Sequence, residues 1–184
     1  MYRVAAQTMR FLRRNKARMK ILIALPLVVV VFLALKKLLI TVFLMLISFI
    51  LSYIVQNIKI RQLGLEFCLF TAVMSGIFYG PFVGFIVGLV TILVHLVLGG
   101  FFGPYWLWVI PGYAFAGAAA GLFVGASPAG IGVIITLALN LLMLVFTAAI
   151  NPENLPNFIP YLITNVLING VFFLRLAPVL ARLV

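Results

Sequence analysis

The sequence predicts an all-α, polytopic membrane protein: six transmembrane helices, preceded by a basic N-terminal helix that lies on the membrane surface or is partly inserted. Three observations predict it. Of 184 residues, 66% are hydrophobic and 8% are charged, whereas soluble domains carry about 25% charged residues. Several apolar runs reach the ~20 residues that cross ~30 Å of hydrocarbon as helix. The runs are continuously apolar, unlike membrane β-barrel strands, which alternate over ~10 residues. No soluble linker or low-complexity block interrupts the chain. Two parts are therefore expected, a basic segment over 1–35 and a transmembrane domain over 36–184.

The N-terminal part is read from its charge. Seven of the 13 Lys and Arg residues fall in the first twenty positions: Arg3, Arg10, Arg13, Arg14, Lys16, Arg18 and Lys20. A cluster of this kind sets topology and meets anionic lipid headgroups; a nucleic-acid partner is not expected. Segment 21–35 contains Pro26 and ends at Lys36-Lys37, and as helix it reaches only ~22 Å. It has the outline of a signal peptide, but FLALKK offers no small-x-small cleavage site, so removal is not expected.

The six spans follow at 38–56, 65–79, 82–98, 105–125, 130–150 and 158–175. Charge orients them. If 21–35 does not cross, eleven basic residues lie on one side (the seven above with Lys36, Lys37, Arg175 and Arg182), against Lys59 and Arg61 on the other. If it does cross, the division is nine against four. The positive-inside rule favours the first. The expectation is a multi-pass protein of the cell membrane with both termini cytoplasmic. The outward turns are then NIKIRQLG (57–64), GGFFGP (99–104) and NPENLPN (151–157), and the inward turns are the short 80–81 and 126–129.

Glycine marks the expected helix contacts. Lipid tails are as apolar as leucine, so helices associate through close backbone approach, which small residues at i, i+4 permit. Gly84 and Gly88 share one face of the 82–98 helix, and Gly117, Gly121 and Gly125, with Ala114 and Ala118, make a smooth face on the 105–125 helix. Gly80-Pro81 reads as a turn, with Pro81 suited to the first turn of the next helix. These faces serve internal packing or contact with a partner helix, and spacing does not separate the two.

Few polar side chains lie within the spans: Thr91, His95, Thr136, Asn140, Thr164, Asn165 and Asn169, with Glu66 near an outer end. In lipid such groups pair with one another or line a cavity. His95, Glu66, Trp106, Trp108 and Asn165 all fall in the outward half under this topology, which favours a pocket; Tyr105, Trp106 and Trp108 also fit an aromatic belt. With one His and one Cys, no metal set forms and no disulfide is possible. Cys68 reads as a small buried hydrophobe. No paired acids, nucleophile constellation or phosphate loop is present. No enzyme and no cofactor are expected.

The run LGLEFCLFTAVMSGIFYGPFVGFIVGLVTILVHLVLGG, a Gly-rich helix after it, and LPNFIPYLITNVLINGVFF together resemble the substrate-binding S components of energy-coupling factor transporters. The likeness rests on a G-x-x-x-G-P-x-x-G-like turn at Gly76, Gly80, Pro81 and Gly84, and on Asn165 and Asn169 in the last span. It covers roughly residues 38–175. The resemblance implies a six-helix bundle whose outward pocket captures a vitamin-like small molecule, with a membrane coupling subunit and two cytosolic ATPases powering uptake. The pocket candidates on matching segments are Trp106, Tyr113, Asn140, Asn165 and Asn169, with His95 nearby and Glu153 in a lid loop. The chain departs from the family where Ser48 and Ser52 replace an Ala-x-x-x-Ala face, and where Thr91 and His95 stand in place of an acidic residue. MreD-type cell-shape proteins have a similar six-helix pattern. A non-catalytic scaffold binding partner proteins and lipid is therefore the alternative.

Overall fold

Helix is the only regular structure in the computed structural model, which describes residues 16–58, 63–100, 103–123 and 125–184. In chain order the described elements are α1 (Lys16–Asn57), α2 (Cys68–Tyr79), α3 (Pro81–Gly99), α4 (Trp106–Ala120), α5 (Pro128–Ile150), a 3₁₀ turn (Pro152–Asn154), α6 (Leu155–Val171), a π-helical turn (Phe172–Leu176) and α7 (Ala177–Leu183). The chain divides into two units, 1–39 and 40–184. Arg3, Arg10, Arg13 and Arg14 of the expected surface segment lie outside the described residues, as do Lys59 and Arg61 of an expected outward turn.

The basic segment and the first span were expected to be separate pieces. Instead α1 is continuous for 42 residues and passes through Lys36-Lys37. Lysine is a good helix former and no Gly or Pro stands at that junction, so nothing local ends the helix. Within the first unit Leu25 and Val28 to Val31 are exposed.

Among the described residues, four stretches are long and apolar enough to cross a membrane: Leu35–Asn57, Pro81–Gly99, Pro128–Ile150 and Pro152–Leu183. The other two expected spans form shorter helices. α2 has 12 residues and α4 has 15, about 18 and 22 Å at ~1.5 Å per residue. The expected 65–79 span loses its first residues because 63–67 is irregular. The expected 105–125 span stops at Ala120, where Gly121 and Leu122 form a turn.

α2 occupies the centre of the second unit. Every residue from Cys68 to Gly76 is buried, the pattern of a helix surrounded on all sides. Phe67 and Phe70 meet Phe172 and Phe173 of the π turn, with ring centroids 5.0 Å apart in the Phe67–Phe172 and Phe70–Phe173 pairs. Phe173 in turn covers Gly132 of α5, where any Cβ would collide with its ring.

The glycine faces are filled within the chain. A Cβ on Gly76 or on Gly84 would strike the Gly117 carbonyl, one on Gly117 the Gly84 carbonyl, one on Gly88 the Tyr113 carbonyl, and one on Gly121 the Gly80-Pro81 backbone. These are backbone contacts, so α2, α3 and α4 approach as closely as main chains allow. Gly125 belongs to a different device: it has nothing within 4 Å and a φ of +86°, so it makes a turn rather than a packing face.

Candidate functional site

The site is built around the break that precedes α2. Leu63 to Phe67 is not helical, yet Gly64 and Glu66 are buried. Irregular backbone that is buried requires internal partners for its polar groups. α6 supplies them. The Gly64 N–H donates to Thr164 Oγ1 at 2.8 Å, and the Gly64 carbonyl accepts from Asn165 Nδ2 at 3.1 Å. Gly64 has to be glycine, because a Cβ there would press into Asn165 and the Tyr161 carbonyl.

Glu66 completes the junction. One carboxylate oxygen, Oε2, accepts the Cys68 and Leu69 backbone N–H groups, capping the start of α2. The other, Oε1, accepts from Tyr113 Oη at 3.2 Å, Asn165 Nδ2 at 3.1 Å and Asn169 Nδ2 at 3.2 Å. A side chain 2% exposed thus holds five donors drawn from three helices. An acid in an apolar interior needs this degree of satisfaction.

A cavity of about 580 Å³ lies on the other side of Tyr113, at the end of the bundle where α1, α3 and α5 finish and α4 and α6 begin. Gln56 of α1 and His95 of α3 form one wall. Tyr105, Trp108 and Tyr113 form the next, with Asn140 and Thr147 of α5 facing Phe158 and Tyr161 of α6. Asn151, Asn154 and Asn157 stand at the turn between α5 and α6. No Lys, Arg, Asp or Glu is among the described lining residues. Aromatic walls with a few placed amides and hydroxyls, within the usual ~300–1,000 Å³, are the common form of a small-molecule pocket. A second cavity of about 490 Å³, between α4 and α5, is lined by side chains such as Leu107, Phe115, Leu142 and Ile150 and offers little to orient a ligand.

His95 is held from α1. Its Nδ1 lies 2.9 Å from Ser52 Oγ, and its Nε2 lies 3.5 Å from Gln56 Nε2. Gln56 Nε2 also donates to the His95 carbonyl at 3.5 Å, so both ring nitrogens and the main chain of His95 face α1. Ser48 Oγ, 3.3 Å from Cys68 Sγ, continues this polar seam along the α1–α2 contact.

The expected site residues therefore divide. His95, Tyr113 and Asn140 line the cavity. Asn165 and Asn169 stand behind its wall with their amides on Gly64 and Glu66. Trp108 lines the cavity and Trp106 does not. Glu153 is exposed in the 3₁₀ turn, whose neighbours Asn151 and Asn154 reach the cavity. Gln56, Thr147 and Tyr161 are lining residues that sequence reasoning missed. Gln56 carried a signal, being an amide at the last position of the expected 38–56 span; Tyr161 sits in an apolar run and carried none.

No family model, curated protein or solved structure matches the chain.

Proposed function

We propose that this chain is the membrane-embedded, small-molecule-binding subunit of a multi-subunit ATP-driven importer. In this reading it has six transmembrane helices, both termini are cytoplasmic, and the cavity faces outward. The observation that carries the proposal is the cavity itself: about 580 Å³, walled by Tyr105, Trp108 and Tyr113, with His95 and Asn140 among its polar lining. The short helices are compatible with six crossings. The segment Gly64–Glu66, with Gly64 and Glu66 buried, precedes α2 with polar groups of both satisfied inside the protein, which is the condition for non-helical chain within a bilayer. The sequence holds no phosphate-cradling loop, so the energy for uptake would come from a coupling subunit and ATPases. Lipid headgroups would meet the basic N-terminal segment.

A scaffold role is the second reading. It draws on Asn165 and Asn169, which are engaged inside a filled part of the bundle rather than presented to a ligand. Native mass spectrometry of the protein released from lipid nanodiscs separates the two. A bound small molecule, lost in Trp108→Ala while the protein stays folded, is the expected result. No retained molecule, together with a stable protein partner that is not a transporter subunit, would defeat the importer reading.

A further inference from the structure

The floor of the cavity has a direction. Asn140 Nδ2 donates to the Thr136 carbonyl and to Asn165 Oδ1, both at 2.9 Å. The carbonyl only accepts, so the orientation of this amide is determined. Asn165 is oriented in the same way, because its Nδ2 faces the Gly64 carbonyl and the Glu66 carboxylate. Both donors of Asn140 point into the protein. Its Oδ1 has no partner among the described residues and is not sealed off, so it is the Asn140 atom left to the cavity.

The tyrosines behave alike. Tyr113 Oη donates to Glu66, so in its 3.4 Å contact with Tyr161 Oη the proton comes from Tyr161. Each hydroxyl hydrogen is then turned toward protein, leaving oxygen lone pairs for the cavity. Both ring nitrogens of His95 are engaged with α1.

We propose that this cavity takes a small planar ligand that presents N–H donors to Asn140, Tyr113 and Tyr161 and carries no anionic group. The inference rests on the binding-subunit reading and specifies its ligand class. The aromatic rings of Tyr105 and Trp108 offer flat faces for a planar body. An anion would meet oxygen lone pairs with no lining cation among the described residues. A site built to accept N–H groups rejects analogues that lack them, because its own acceptors are left unpaired.

The test uses one ring in three forms. The full chain in lipid nanodiscs is titrated with adenine, purine and purine-6-carboxylate, followed by tryptophan fluorescence. Adenine is expected to bind about ten-fold more tightly than purine, the effect of one or two satisfied acceptors, and the carboxylate not at all. Tyr161→Phe should weaken adenine more than purine and so shrink the adenine preference. Purine or the carboxylate binding as tightly as adenine would overturn the donor rule while leaving a binding subunit in place. An unchanged preference in Tyr161→Phe would overturn it too. So would the absence of saturable binding by all three at millimolar concentration, with the mass spectrometry above then judging the broader reading.

Discussion

Replacing Glu66 by glutamine keeps the side-chain shape and changes one oxygen to NH₂. If that nitrogen faces α2, it meets the Cys68 and Leu69 N–H groups, and both lose their acceptor. If it faces the other way, it meets the amides of Asn165 and Asn169, while the Tyr113 hydroxyl is able to rotate. The first orientation leaves two backbone N–H groups unsatisfied, and the second leaves one N–H of each of the two amides without an acceptor. At about 1–3 kcal/mol for each such group, the variant should lose about 2–6 kcal/mol, a large share of the ~5–15 kcal/mol typical of a folded domain. Unfolding by SDS titration in mixed micelles, followed by circular dichroism, reads the loss directly. Asn165→Leu combined with Glu66→Gln should cost less than the sum of the two, since they share a hydrogen bond. A Glu66→Gln protein within ~0.5 kcal/mol of wild type would show that Glu66 does not hold these donors, and the junction described here would be wrong.

The glycine contacts predict a sharp contrast in the same assay. Gly117→Ala, aimed at the Gly84 carbonyl, should cost about 1–3 kcal/mol by forcing α3 and α4 apart, whereas Gly170→Ala, with nothing within 4 Å, should be neutral or stabilising by up to ~1 kcal/mol; equal effects would refute the packing. Cys68, 0% exposed, should resist N-ethylmaleimide in mild detergent and react fully once SDS unfolds the chain; rapid labelling of the folded protein would mean that the α1–α2 seam opens.

The helical class and most element positions were legible in the sequence because they depend on hydropathy and on strong local signals. Gly80-Pro81 declares its turn, and the structure puts Gly80 at φ +90° with Pro81 opening α3. The small faces at Gly84, Gly88 and Gly117 were likewise readable, but not what they face; the structure sets them against each other's helices. Helix length was less readable. An apolar run such as LGLEFCLFTAVMSGIFY looks uniform to a hydropathy count, but whether its first residues coil depends on what faces them. Thr164 and Asn165 sit about a hundred positions away and offer the Gly64 backbone an alternative to helix. No local pattern reports such a partner.

The same remoteness explains why the site residues were sorted only in part. Depth along a span is all that a hydropathy pattern offers for a polar side chain, and depth does not say which way that side chain points. Asn140 and Asn165 are both buried and bond to each other, yet only Asn140 reaches the cavity. The difference arises at Glu66. Because the chain breaks before α2, a carboxylate enters the interior to cap that helix, and it draws the amides of Asn165 and Asn169 and the hydroxyl of Tyr113 toward itself. What Asn140 and Tyr113 leave to the cavity is oxygen. The polarity of the floor is thus a consequence of how the interrupted backbone is satisfied. A continuous helix through residues 63–67 would need no cap at Glu66, and the Tyr113 hydroxyl would then be free to donate into the cavity.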